Sequence, residues 1–97
     1  ADNLGGLYIM NKKYDKGIKL YSYLLRVDSR NADAYANLGI CYGNLGKYDS
    51  SLHYARRAIS MDPANKSFYA ALSATYKLMG NADSVAKYEQ MAGTSAN

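Results

Sequence analysis

At 97 residues, 48% of them hydrophobic and 12% aromatic, the chain is long enough for one small packed domain and no more. Its formal net charge of +4, from 12 Lys and Arg against 8 Asp and Glu, favours solubility without gathering into a basic tract, since only Lys12-Lys13 and Arg56-Arg57 are adjacent. No apolar run approaches the ~20 residues of a membrane-spanning helix, and the lone Cys41 excludes an intramolecular disulfide and any cysteine-rich metal site.

The opening Ala1-Asp2-Asn3-Leu4 has neither the basic start nor the apolar core of a signal peptide, and the missing initiator Met suggests a trimmed chain. The compartment stays open, with a soluble, cytoplasmic setting slightly favoured. Leu4 and Tyr8 then mark a helix that runs through about Asn11, turns at Lys12-Lys13, and pairs with a second from Tyr14 to Val27. Asp28-Ser29-Arg30-Asn31 links to the middle segment, where Ala34, Leu38 and Tyr42 recur at helical spacing. Gly46 supplies the left-handed backbone on which a helix ends and the chain reverses. Tyr48, Leu52, Ala55 and Ile59 form the next apolar stripe, which stops near Met61 because the residue before Pro63 is pushed out of the helical region. A last pair covers about Ser67 to Met79 and Ala82 to Ala92, turning at Gly80-Asn81, and leaves a frayed tail from Gly93 to Asn97.

The L-x-x-x-Y of Leu4 and Tyr8 returns as Leu38 and Tyr42 and as Leu72 and Tyr76, in steps of 34 residues. A period of that size means stacked supersecondary units, because one helical hairpin cannot bury its apolar face alone. The expected fold is all-α, a short solenoid of about six helices. Gly39 on one helix and Ala55 and Ala58 on its partner carry little bulk and let two backbones approach, while Leu38 and Tyr42 fill the gaps between hairpins. Of 11 tyrosines, Tyr8, Tyr14, Tyr21, Tyr35, Tyr42, Tyr48, Tyr69 and Tyr76 fall where a large packing residue is wanted.

These residues carry a resemblance to the tetratricopeptide repeat. The middle copy matches with Tyr35, Asn37-Leu38-Gly39, Tyr42, Gly46, Tyr48, Ala58 and Pro63; the first with Leu4-Gly5, Tyr8, Tyr14, Tyr21 and Val27-Asp28; the third with Tyr69, Leu72, Tyr76, Gly80 and Ala92. The resemblance implies a right-handed superhelix forming a single domain over 1–97, with repeat one at 1–31 (truncated at its start), repeat two at 32–65, repeat three at 66–92 and a tail at 93–97. Departures fall in the outer copies: Lys12 for glycine, Leu24 for alanine and Ser29 for proline in the first, Ser73 for glycine and Val85 for alanine in the third. Neither end carries an evident capping helix, so the chain is expected to be part of a longer array or to bury its ends against another subunit.

Such repeats bind partners mainly on the concave face lined by the first helix of each hairpin. Carried over, the lining positions are Asp2, Asn3, Gly6, Ile9 and Met10; Asp33, Ala36, Asn37, Ile40, Gly43 and Asn44; and Ser67, Ala70, Ala71, Ala74, Lys77 and Leu78. The resulting groove is small-featured and nearly neutral. It suits an extended peptide or an amphipathic helix of a partner protein, with Ile9, Ile40 and Leu78 for apolar contact and Asn37 and Asn44 for hydrogen bonds. Repeats that hold the acidic C-terminal tails of heat-shock chaperones use a clamp of Lys and Asn where this chain has Asp2 and Gly6, Asn at the position of Asn37, and Lys and Arg where it has Ser67 and Ala71, so only Asn37 of that set survives. Chaperone tails are therefore not the expected ligand.

Nothing points to an enzyme. His53, the sole histidine, is expected to face water from the second helix of the middle copy, Cys41 to be a small buried side chain, and Asp15, Asp49 and Asp83 to serve as helix caps. No phosphate-binding loop, metal-ligand spacing or cofactor motif occurs. The alternative to partner binding is a structural spacer or self-association element stacking through its ends, possible as a homo-oligomer. A third reading, nucleic-acid binding through Lys12, Lys13, Lys16, Lys19, Arg56 and Arg57, ranks behind both because charges on an outer helix face are usually just solvated.

Overall fold

Residues 3–93 are those described by a computed structural model of the chain, and six α-helices run through them: α1 (Asn3–Met10), α2 (Tyr14–Val27), α3 (Ala32–Asn44), α4 (Tyr48–Met61), α5 (Lys66–Met79) and α6 (Ala82–Ala92). No strand occurs among the described residues. The helices pair as α1–α2, α3–α4 and α5–α6, and the hairpins stack in chain order into a body 38 Å long and 25 by 22 Å across.

One turn design is used three times. Lys12, Gly46 and Gly80 all adopt positive φ, at 59°, 79° and 78°. Directly after each, a backbone amide reaches back to close the helix end: Lys13 to the Tyr8 carbonyl at 2.7 Å, Lys47 to Tyr42 at 2.9 Å and Asn81 to Tyr76 at 3.0 Å. The recurrence at 34-residue steps explains why Lys12 is left-handed although it is not glycine: the tertiary stack demands the turn and overrides a local cost of about 1 kcal/mol. The helix starts are handled differently. Asn31, Asn65 and Asn81 accept amide hydrogen bonds from Ala34, Ser67 and Ser84 and are the side-chain caps. Asp15, Asp49 and Asp83, expected as caps, instead lie inside the first turns of α2, α4 and α6, where a carboxylate opposes the positive end of the helix dipole.

Packing follows from small residues on one helix meeting large ones on the next. A Cβ at Gly39 would sit 3.0 Å from the Ser51 carbonyl oxygen and 3.3 Å from the Ala55 nitrogen, so α3 and α4 approach backbone to backbone. Between the first and second hairpins, Tyr21 of α2 is buried with Ala34 and Leu38 of α3, and Ile9, Ile18, Leu24, Leu25, Tyr42 and Tyr54 close around them. Between the second and third, Ala55 meets Leu72 and Tyr76, while Ala36, Ala58 and Phe68 form a neighbouring cluster. Leu38 and Leu72, each 2% exposed, contribute roughly 1.5–3 kcal/mol apiece by leaving water.

One polar chain crosses this apolar seam. Ser51 Oγ donates to the Gly39 carbonyl at 2.7 Å and lies 2.6 Å from Thr75 Oγ1. Each hydroxyl has a single proton, so with Ser51 spent on Gly39 the Thr75 hydroxyl is the donor to Ser51. The chain ties α3, α4 and α5 together with no buried side-chain polar atom left unpaired among the described residues.

The tyrosines divide by depth. Tyr21 and Tyr76 are buried, and Tyr8, Tyr14, Tyr35, Tyr42, Tyr48 and Tyr69 are half-buried. Tyr54, which the packing pattern did not single out, stacks between Tyr35 and Tyr42 at ring separations of 6.2 and 5.5 Å. Its signal lies in the 34-residue step to Tyr88, which stacks on Tyr76 at 5.5 Å.

Candidate functional site

The candidate surface is the open side of α1, α3 and α5. On α3, Asp33, Asn37, Ile40 and Asn44 fall at successive offsets of four, three and four residues and so share one stripe. On α5, Ala71, Ala74 and Leu78 repeat at offsets of three and four, with Lys77 beside them. The two helices pack side by side in the stack.

Exposure varies along it. Asp33, Asn44, Ala74, Lys77 and Leu78 are exposed, and Asn37, Ile40 and Ala71 are half-buried. From α1, Met10 projects with 78% of its surface in water, whereas Ile9 is half-buried and packs towards Tyr21, Ala34 and Leu38. Asp2 and the side chain of Asn3 lie outside the described residues. Ala36 and Gly43 are placed in the interior: Ala36 packs against Ala58 and Phe68, and a Cβ at Gly43 would meet Ser51 Oγ at 2.9 Å and Thr75 Oγ1 at 3.2 Å. The stacking of α5 on α3 closes over these two positions and narrows the open stripe to Asn37, Ile40 and their neighbours.

Hydrogen bonding separates the asparagines. Asn44 Nδ2 donates to the Ile40 carbonyl at 2.8 Å, Asn11 Nδ2 does the same to Leu7 at 2.9 Å, and Asn31, Asn65 and Asn81 are caps. Asn37 alone of this set makes no hydrogen bond to another described residue, and its amide stands at the surface with both donor and acceptor available. Lys77 is less free: its Nζ lies 3.6 Å from Glu89 of α6, a solvent-facing pair worth a fraction of a kcal/mol that lowers the local positive field. The face is thus close to neutral, with apolar contact from Ile40, Ala74 and Leu78 and one uncommitted amide.

Cys41 is 0% exposed, and burial pushes its thiol up to about 11, away from nucleophilic use. His53 is exposed and meets the Tyr54 ring edge-on at 5.2 Å. Arg56 donates to the Tyr76 hydroxyl at 2.8 Å, and Arg57 lies 5.5 Å over the Tyr35 ring. No group of His, Cys, Asp and Glu among the described residues is placed to hold a metal, and none of the described helices is long and apolar enough to cross a membrane.

Two hollows mark the ends of the stack. One, of about 480 Å³, lies on the first hairpin and is lined by Leu4, Tyr8, Lys16, Lys19, Leu20 and Tyr23. The other, of about 380 Å³, opens on the third hairpin between α5 and α6, where Lys77, Val85, Ala86 and Glu89 face it.

Residues 32–65 match the family model of the tetratricopeptide repeat. Among solved structures, MamA MSR-1 superposes with a TM-score of 0.77 at 23% identity, covering 93% of this chain and 52% of that one. Two structures of MamA AMB-1 give TM-scores of 0.75 and 0.77 at 23% identity, covering 93% of this chain and 53% of theirs. The chain spans about half the length of these structures, and at this identity the likeness is one of fold. No curated protein matches the sequence.

Proposed function

Because the chain carries a tetratricopeptide repeat domain, an all-α solenoid of the protein-interaction class, we propose that it holds a peptide or helix of a partner protein on the open side of α1, α3 and α5. In this reading residues 1–97 work as one domain, with repeats at 1–31, 32–65 and 66–92. Asn37 carries the argument. Every other described asparagine side chain is spent on nearby backbone, while the Asn37 amide makes no such bond and lies one turn from Ile40 on α3; in this reading it shares a face with Ala74 and Leu78. An amide flanked by apolar side chains is what an incoming backbone needs: a donor and acceptor for its polar groups and dry contact for its side chains. Asn3, Ile9, Asp33, Asn44, Ala71 and Lys77 form the surroundings of that contact.

The ligand this face favours is neutral. Ser67 and Ala71 supply no cation for a terminal carboxylate, and Lys77 already faces Glu89, which argues against acidic chaperone tails. Arg56 and Arg57 are engaged with Tyr76 and Tyr35, which weakens the case for a continuous nucleic-acid track. The fold class is a scaffold rather than a catalyst, and the chemistry of the site requires no cofactor.

The test is affinity capture from source-cell lysate with the wild-type domain and an Asn37→Ala, Ile40→Glu variant of equal helical content. A protein retained by the wild type and lost from the variant supports the reading. Equal retention by both overturns it and favours a structural spacer or self-association element.

A further inference from the structure

We propose that the hollow between the first and second turns of the stack is a second docking site, one that takes a short acidic segment of a partner protein. The hollow, of about 280 Å³, is lined by Lys12, Lys13, Tyr14, Asp15 and Lys16, with Leu45 from the next turn. At the 34-residue step, Gly46, Lys47, Tyr48, Asp49 and Ser50 line a hollow of about 360 Å³. That second turn has a hairpin on either side, and its hollow is open all the same. Such hollows therefore belong to the turn edge of the stack and not to an end face. The first turn lies at the Met10 end of α1, about 10 Å of helix from Asn3, and every residue lining its hollow is among those described.

Two departures from the repeat converge on the first hollow. Lys12 stands where the second and third turns have Gly46 and Gly80, and Lys16 where they have Ser50 and Ser84. Glycine meets the left-handed backbone of this turn at no steric cost, whereas Lys12 holds it at φ 59°. What the lysine adds over glycine is a charged side chain, and that side chain lines the hollow. The first stretch thus sets three lysines against Asp15, the second sets Lys47 against Asp49, and the third, Gly80 to Ser84, has Asp83 and no cation. Lys12, Lys13 and Lys16 form no ion pair among the described residues.

These features select the occupant. Carboxylates answer the three lysines, while Leu45, at 40% exposure, and Tyr14 offer contact to one apolar side chain. An apolar residue with acidic neighbours, on an extended segment laid along the turns, meets both. The cations do not continue along the edge, where Asp49 and Asp83 follow, so a long polyanion such as a nucleic acid finds no track.

The probe is a labelled synthetic peptide with one leucine between two pairs of glutamates, compared with twins that carry glutamine or lysine in place of glutamate. Fluorescence anisotropy with the full chain is expected to show the acidic peptide binding at least ~10-fold more tightly than the glutamine twin, and less tightly as salt is raised. Lys12→Gly combined with Lys16→Ser gives the first turn the residues of the second and relieves the left-handed lysine, so the fold is retained; the pair is expected to abolish the preference for glutamate over glutamine. Arg26→Ser combined with Arg30→Ser removes the same charge beyond the other end of the hairpin and should change the affinity by less than about 2-fold. Leu45→Gln, at an exposed position, is expected to weaken the acidic peptide at least ~3-fold. Equal affinity for the three peptides, no binding of any, indifference to Leu45→Gln, or as large a loss from the arginine pair as from the lysine pair overturns the proposal. So does single-stranded DNA that binds more tightly than the acidic peptide and depends on the same two lysines.

Discussion

Adding one methyl group at Gly39 tests how the hairpins are held together. The new Cβ lies 3.0 Å from the Ser51 carbonyl oxygen, 3.3 Å from the Ala55 nitrogen and 3.6 Å from the Ala55 Cβ. Two of these neighbours are backbone atoms that cannot rotate away, so α3 and α4 must separate by several tenths of an ångström. Overpacking of this kind costs about 1–3 kcal/mol, against which alanine returns about 1 kcal/mol of helix propensity. Separation also lengthens the 2.7 Å bond from Ser51 Oγ to the Gly39 carbonyl and with it the link to Thr75. Gly39→Ala is therefore expected to lose roughly 0.5–2 kcal/mol, which in a domain of this size lowers Tm by several degrees. Gly6→Ala is the internal control: it is helical with nothing within 4 Å of its new Cβ, and should gain up to about 1 kcal/mol from propensity alone. Urea titration followed by circular dichroism measures both. If Gly39→Ala stabilises the protein as much as Gly6→Ala does, the close α3–α4 approach is refuted.

Cys41 should resist thiol-specific reagents at pH 8 in the native protein and react once in denaturant, because the buried thiol stays protonated. The unfolded chain loses this proton near the ordinary value of 9.0 and the folded chain only at about 11. In that window the unfolded state binds fewer protons and stability falls with rising pH, by about 3 kcal/mol in total; the fall attributable to this group should vanish in Cys41→Ala when the two pH–stability curves are subtracted. Asn31→Ala should cost about 1 kcal/mol by removing the cap on Ala34, whereas Lys47→Ser, at a helix start with no side-chain cap, should leave stability unchanged or raise it by up to about 1 kcal/mol; thermal melts distinguish the two.

Most of the helices were legible in the sequence because their limits have local causes. Pro63 and Gly80 announce where α4 and α5 stop, and Lys12 could be read as a turn only through its 34-residue step to Gly46. The caps were legible in type but not in place: asparagine and aspartate both accept amide bonds, and only the backbone shows that Asn81 is outside the helix while Asp83 is inside it. Ala36 and Gly43 show why a face is harder to read than a helix. Their helical offsets are compatible with the open stripe, but the closeness of α5, set by Gly43 meeting Ser51 and Thr75, turns both inward. The uncommitted state of Asn37 was likewise illegible, since it depends on which carbonyls and amides the fold leaves within reach.

The central claim is that partner contact falls on the open side of α3 and α5 and not on the outer helices. A photo-crosslinking amino acid placed at Ile40, at Leu78 and, as the outer-face control, at the exposed His53 tests it directly in the source cell. The account predicts one common partner protein crosslinked from positions 40 and 78 and none from 53. The same protein captured as strongly from position 53, or no protein captured from either inner position, contradicts it.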